Sequence, residues 1–205
     1  MTWPTKKLGK QKTFDEIVHS WLKDEWFLSH YNQLRQNIPP NIVENPNFLN
    51  AEENKTRLEL LRYVRRPMVD PLPNSTEWYV TDFNKEDLNR TFIVPSSDWL
   101  PITNNSYRIL EAVKNIGGDL NHADKIREIK DSTVGENVSK NLILVASSPE
   151  SLFTVIEGNH RAVAFVSKAL SNAETNIIIE EIFLGISPQM KSYIWHIESR
   201  LQNEK

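Results

Sequence analysis

Residues 141–166 read NLILVASSPESLFTVIEGNHRAVAFV. Two short apolar runs, 141–146 and 152–156, flank Ser-Ser-Pro-Glu-Ser, which is turn chemistry. Each run predicts a β-strand, the second an interior one. Residues 162–166 are apolar on every side and lead into Ala169 and Leu170, which predicts a buried helix. The five residues Glu157-Gly158-Asn159-His160-Arg161 therefore form a strand-to-helix turn. Gly158 stands at the junction, where a tight turn often needs a residue without a Cβ. The first N–H groups of the helix have no partner inside it, and the positive end of the helix dipole lies behind them. Such a turn accepts anions, phosphate above all. Histidine and arginine in the first turn add donors and positive charge, and a guanidinium grips phosphate with two hydrogen bonds. The same residues have structural uses: glycine for packing, His160 as a satisfied core histidine, Arg161 as a partner of Glu157.

The 205-residue chain suits one domain with an extension, or two small domains. Hydrophobic residues make up 39% and charged residues 25%, a composition that can bury a core. The net charge of −3 gives no global sign of nucleic-acid or anionic-membrane binding. The chain has no cysteine, which excludes disulfides, thiol catalysis and cysteine-bound metals and fits a reducing cytoplasm. No run approaches the ~20 apolar residues of a membrane span. The N-terminal lysines are not backed by an apolar stretch, so no signal peptide is expected.

Ahead of the opening stretch, residues 1–12 read as a loose basic arm. Thr13 with Glu16 is a capping-box pattern. Phe14, Ile17, Val18, Trp21 and Leu22 follow on one helical face, in a helix that runs toward Leu34. Asn50 with Glu53 starts a second helix, expected to end before Pro67. Short β-like runs lie at 78–81 and 92–94. A helix over 102–116 is closed by Gly117-Gly118, and a short one is expected over 123–129. Residues 177–182 predict a strand. Ser187-Pro188 opens a last helix with Met190, Tyr193, Ile194, Ile197 and Leu201 as its apolar stripe. The expected fold class is α+β, a small mixed sheet with flanking helices. The division is a helical extension over 1–69 and an α+β domain over 70–205.

VIEGNHRAVAF resembles the signature of the ParB/sulfiredoxin superfamily, in which a Gly-x-His-Arg sequence opens a buried helix. The preceding strand, turn and strand also resemble that family, and the likeness spans about residues 78–184. It implies a small ParB/sulfiredoxin-type core that holds the phosphates of ATP, ADP or CTP, commonly with magnesium. Carried over by position, Gly158, Asn159, His160 and Arg161 form the phosphate cradle. Glu157 is the candidate partner of Mg2+ or of a hydroxyl. Sulfiredoxins carry a catalytic cysteine where Asn159 stands, so sulfinic-acid repair is excluded. About forty residues follow the motif, too few for the DNA-binding domain of the chromosome-partition branch. A small-molecule-kinase-like or uncharacterised branch remains.

Phosphoryl transfer needs a carboxylate to take the substrate's proton or hold metal. Asp82, at a strand end, is the first choice and Asp98 the alternative, beside Glu157 and His160. Asp82, Glu86, Asp87 and Asp98 all also suit surface turns. Arg62, Arg65 and Arg66 suit a helix C-terminus. Trp78 and Trp99 offer faces on which a base can stack. The five histidines show no zinc spacing, and no Walker loop is present. The expectation is a cytoplasmic nucleotide-binding enzyme that uses ATP or ADP to phosphorylate or otherwise modify a small polar substrate, with neither a membrane nor a nucleic acid expected as a partner. The rivals are a regulatory module that senses a nucleotide or anion and contacts protein or DNA, and an interaction protein acting through its helical face.

Overall fold

The computed structural model describes residues 3–118, 120–131, 141–171 and 181–203. In chain order the elements are β1 (Gln11–Lys12), α1 (Phe14–Glu25), α2 (Asn32–Arg35), α3 (Asn41–Glu44), α4 (Ala51–Val69) and β2 (Glu77–Thr81). There follow α5 (Lys85–Leu88), β3 (Thr91–Ile93), α6 (Ile109–Asn115), α7 (Ala123–Asp131) and β4 (Leu142–Ala146). The chain continues through β5 (Phe153–Glu157), α8 (Asn159–Leu170), β6 (Ile182–Ile186) and α9 (Ile197–Asn203). The fold is α+β, with a six-stranded mixed sheet of order β1-β2-β6-β4-β5-β3.

The opening stretch forms the middle of that sheet. β4 and β5 are an antiparallel hairpin, and β6 runs parallel to β4 on its other side. Side chains alternate across the sheet. Leu142, Leu144, Phe153 and Val155 share one core with Ala162, Val163 and Val166 of α8, Ile109 of α6 and Ile126 of α7. Ile143, Val145, Ile156 and Phe183 share the other with Ile17, Val18 and Trp21 of α1, Leu61 of α4 and Tyr193. With helices on both faces, the central strands have no solvent side, hence their continuous apolar runs. The helices from residues 1–69 thus supply the layer over one face of the sheet.

Thr13 and Glu16 form the capping box of α1, and Asn50 caps α4 through the N–H groups of Glu52 and Glu53. Several elements differ from expectation. The basic arm is tied down: Lys6 is buried against Asp87, Gly9 donates to Val80 O, and β1 extends the sheet. Helix α1 ends at Glu25 and does not run to Leu34; a 3-10 turn at Ser29–Tyr31 and α2 follow it. Helix α4 passes through Pro67 to Val69. The carbonyls of Pro67 and Met68 there accept from Trp195 Nε1 and the Tyr193 hydroxyl, so its last turn is held by packing partners. The helix expected from 102 starts at Ile109, because Asn104, Asn105 and Tyr107 adopt left-handed backbone angles. The last helix is split by extended Tyr193 into a 3-10 turn, Pro188–Ser192, and α9. Of its stripe, Met190, Tyr193 and Ile197 are buried, while Ile194 and Leu201 are exposed. The strand expected over 177–182 overlaps β6 only at Ile182; positions 177–180 lie outside the described residues.

Candidate functional site

Strands β3 and β5 are parallel neighbours, so the segments that leave their C-terminal ends emerge together. One carries Asp98 and Trp99, in the 3-10 turn Ser97–Trp99; the other is the turn into α8. The two are tied directly, since Oδ1 of Asn159 accepts the N–H of Val94 at 3.1 Å.

Gly158 stands at φ 85° and ψ 25°, the left-handed region, and no side chain caps α8 after it. The turn is closely packed. A Cβ on Gly158 would lie 2.6 Å from Cδ2 of Leu142 and 3.1 Å from the carbonyl oxygen of Asn141. Glycine is required here by both conformation and space.

Arg161 turns inward. Its Nη2 donates to Asp24 Oδ2 at 2.9 Å, to Asn141 O at 2.8 Å and to Glu157 Oε1 at 3.4 Å. Arg65 approaches Glu157 at 3.9 Å and also donates to Glu25. Three carboxylates, Asp24, Glu25 and Glu157, thus face two guanidiniums. Burial pushes the Glu25 carboxyl above its ordinary range, Glu157 adds to the rise, and Arg65 opposes it. Arg161 fastens the end of α1, the start of β4 and the start of α8 to one another. All three bonds come from Nη2, while Nε is buried without a hydrogen-bond partner among the described residues.

His160 faces the other way. Its Nε2 lies 2.9 Å from Nδ1 of His122, and Nε2 of His122 lies 3.1 Å from Oδ2 of Asp98. Ser96 donates its hydroxyl to Asp98. The His122 ring stacks on Trp99 with centroids 3.9 Å apart and planes 7° apart. The His160 pKa is pushed down to about 4, by burial first and then by His122, Lys125 and Arg161, against the pull of Asp98. At neutral pH His160 is an uncharged imidazole.

The sequence-derived residues therefore divide. Glu157, Gly158, Asn159, His160 and Arg161 meet at one turn, as expected, but the side chains of Asn159 and Arg161 have internal partners. Asp82 does not join them. It ends β2 at the same end of the sheet, three strands from Glu157 and roughly 14 Å away by strand spacing, paired with Lys6 at 2.9 Å. Asp98, the alternative, does come to His160 through His122. Trp99 is buried under His122, which occupies the face expected to receive a base.

His122 was not legible as a site residue. It lies far from the motif in sequence, and its position depends on a left-handed φ of 72°, uncommon for residues with a side chain. Asp24, Glu25 and Asn141 were equally hidden, since each reads as an ordinary helix-end or strand-end residue.

The magnesium that the family resemblance implies does not fit Glu157, whose two oxygens already face Arg161 and Arg65. Among the described residues no group of three or more histidine, aspartate or glutamate side chains is placed to hold a metal ion. No helix among them is long and apolar enough to cross a membrane. Two surface clefts lie away from the turn. One of about 520 Å³ is lined by Lys191, Trp195 and Arg200 among others, and one of about 320 Å³ by Leu34, Leu60 and Tyr63 among others. The lining of neither cleft includes His122 or any residue of 157–161. No family model matches the chain, and no curated protein or solved structure is significantly similar to it.

Proposed function

We propose that this chain is a cytoplasmic enzyme related to the ParB/sulfiredoxin-like proteins. It binds a nucleoside phosphate at the start of α8 and transfers a phosphoryl group to, or otherwise modifies, a small polar substrate. One observation carries the reading. Left-handed Gly158 opens α8 with no side-chain cap, and the uncharged His160 imidazole belongs to the first turn of that helix. The N–H groups and helix dipole hold the phosphate. His160, with one ring nitrogen engaged by His122, has the other to take a proton from the substrate hydroxyl. Gly158, Asn159 and Arg161 shape the turn, with Arg161 acting from behind it. The non-catalytic sensor is the second reading, favoured by the internal neutralisation of Arg161 by Asp24 and Glu157.

The test is a thermal-shift panel of ATP, ADP, CTP and GTP, with and without magnesium, on wild type and His160→Gln. Arg161 is left intact because it holds the fold. A ligand at 100 times its Kd stabilises the folded state by about 2.7 kcal/mol. The expected result is a rise in Tm with at least one nucleotide that His160→Gln diminishes. A cooperative melt unmoved by every nucleotide would overturn the proposal. Binding without turnover of any small hydroxyl substrate would favour the sensor.

A further inference from the structure

We propose that Asp98, His122 and His160 form a proton relay that leaves Nδ1 of His160 bare as a base and passes the proton it takes to His122. The proposal deepens the functional reading above and rests on it for the contact between His160 and substrate.

The direction of the relay follows from its terminal acceptor. An ionised carboxylate can only accept hydrogen bonds. Nε2 of His122 makes an ion-pair contact with Asp98 at 3.1 Å; a bare ring nitrogen there would set its lone pair against the carboxylate's own, so Nε2 carries hydrogen. A neutral imidazole has one N–H, so Nδ1 of His122 is an acceptor. Nε2 of His160, 2.9 Å away, must then donate to it. The remaining ring nitrogen of His160, Nδ1, has a lone pair and no hydrogen. One contact argues the other way: Nδ2 of Asn121 lies 3.4 Å from Nε2 of His122 and could only donate to it. That contact is longer and neutral, and the closer carboxylate charge of Asp98 decides the tautomer.

The surroundings decide where a proton comes to rest. His160 faces Lys125 of α7 and Arg161 of its own helix, both of which oppose a positive charge on it. His122 has Asp98 on one edge and the Trp99 ring against its face. A carboxylate and an indole face both favour a cation. A substrate O–H gives its proton to Nδ1 of His160, and the substrate oxygen keeps the electron pair. The Nε2 hydrogen of His160 passes to Nδ1 of His122. His122 becomes an imidazolium whose Nε2–H stays on Asp98, and His160 is neutral again in its other tautomer. The backbone supports this use of His122. Its φ of 72° costs about 1 kcal/mol or more for a side-chain-bearing residue, and the N–H that follows Asn121 is held by that residue's own side chain at 3.1 Å.

Ring-nitrogen NMR on protein labelled with 15N at histidine reads the tautomers directly, without ligand. At pH 7.5 His160 should carry its hydrogen on Nε2 with a bare Nδ1, and His122 should carry its own on Nε2. Asp98→Ala, at a half-exposed side chain, should turn His122 into a tautomer mixture and His160 with it. His122→Asn, which tolerates the left-handed backbone, should release His160 from its single tautomer. A His160 protonated on Nδ1, or tautomers indifferent to Asp98→Ala, would overturn the relay. Because no ligand is present, these results are independent of the nucleotide panel. A fixed tautomer with no nucleotide binding would leave the relay standing and remove the phosphate ligand.

Discussion

Replacing Gly158 by alanine would put a methyl group 2.6 Å from Cδ2 of Leu142, 2.9 Å from Nη2 of Arg161 and 3.1 Å from the carbonyl oxygen of Asn141. None of the three yields readily. Leu142 is buried in the core, Arg161 is held by Asp24, and Asn141 O is backbone. Alanine in the left-handed region costs about 1–2 kcal/mol. Overpacking a dense site adds about 1–3 kcal/mol. The stiffer unfolded chain returns about 0.4–1 kcal/mol. The net expectation is a loss of about 2–4 kcal/mol. For a chain of this size each kcal/mol lowers Tm by roughly 2–4 °C, so Tm should fall by about 6–12 °C for a 3 kcal/mol loss. Differential scanning calorimetry at pH 7.5 measures it. A Tm within about 2 °C of wild type would refute the claim that the turn is both left-handed and filled.

Arg161→Gln removes the donor shared by Asp24, Asn141 O and Glu157 and should cost about 3 kcal/mol in urea denaturation, whereas a loss below about 1 kcal/mol would mean the arginine does not fasten the turn. His160 protonates near pH 4 when folded and near its ordinary 6.5 when unfolded, so its contribution is complete above pH 6.5 and is lost as the pH falls toward 4, by up to about 3 kcal/mol. Burial lowers His19 and His196 in the same direction, so His160→Gln should flatten the acid limb of a stability–pH curve without abolishing it; an unchanged limb would contradict the buried neutral imidazole. Lys6→Ala removes the buried cation between Asp82 and Asp87 and should expose the N-terminal arm to limited proteolysis well before the rest of the chain; equal resistance would show that β1 alone holds the arm.

The middle of the fold was legible because its signals are local. The runs at 141–146 and 152–156 are apolar throughout because helices cover both faces of the sheet, and the caps at Thr13 and Asn50 satisfy adjacent N–H groups. The errors arose where distant residues decide. Helix α4 runs past Pro67 to Val69, and Trp195 and Tyr193, from the far end of the chain, bond the carbonyls of its last turn. Lys6 reads as a loose-arm lysine, yet Asp87, 81 residues away, draws it into the interior. At the site, the turn could be read from Gly158 and the tripeptide. The inward fate of Arg161 could not, because Asp24 is 137 residues away in sequence. The partner of His160 was hidden for the same reason, and the left-handed conformation that delivers His122 leaves no compositional mark.

The most direct measurement is a backbone amide NMR titration of the 15N-labelled protein with ADP. The account predicts that the Asn159, His160 and Arg161 amides move first and furthest, together with the His160 side chain, and that His160→Gln weakens the response. Shifts centred instead on the cleft of Lys191, Trp195 and Arg200, with the first turn of α8 unmoved, would contradict it.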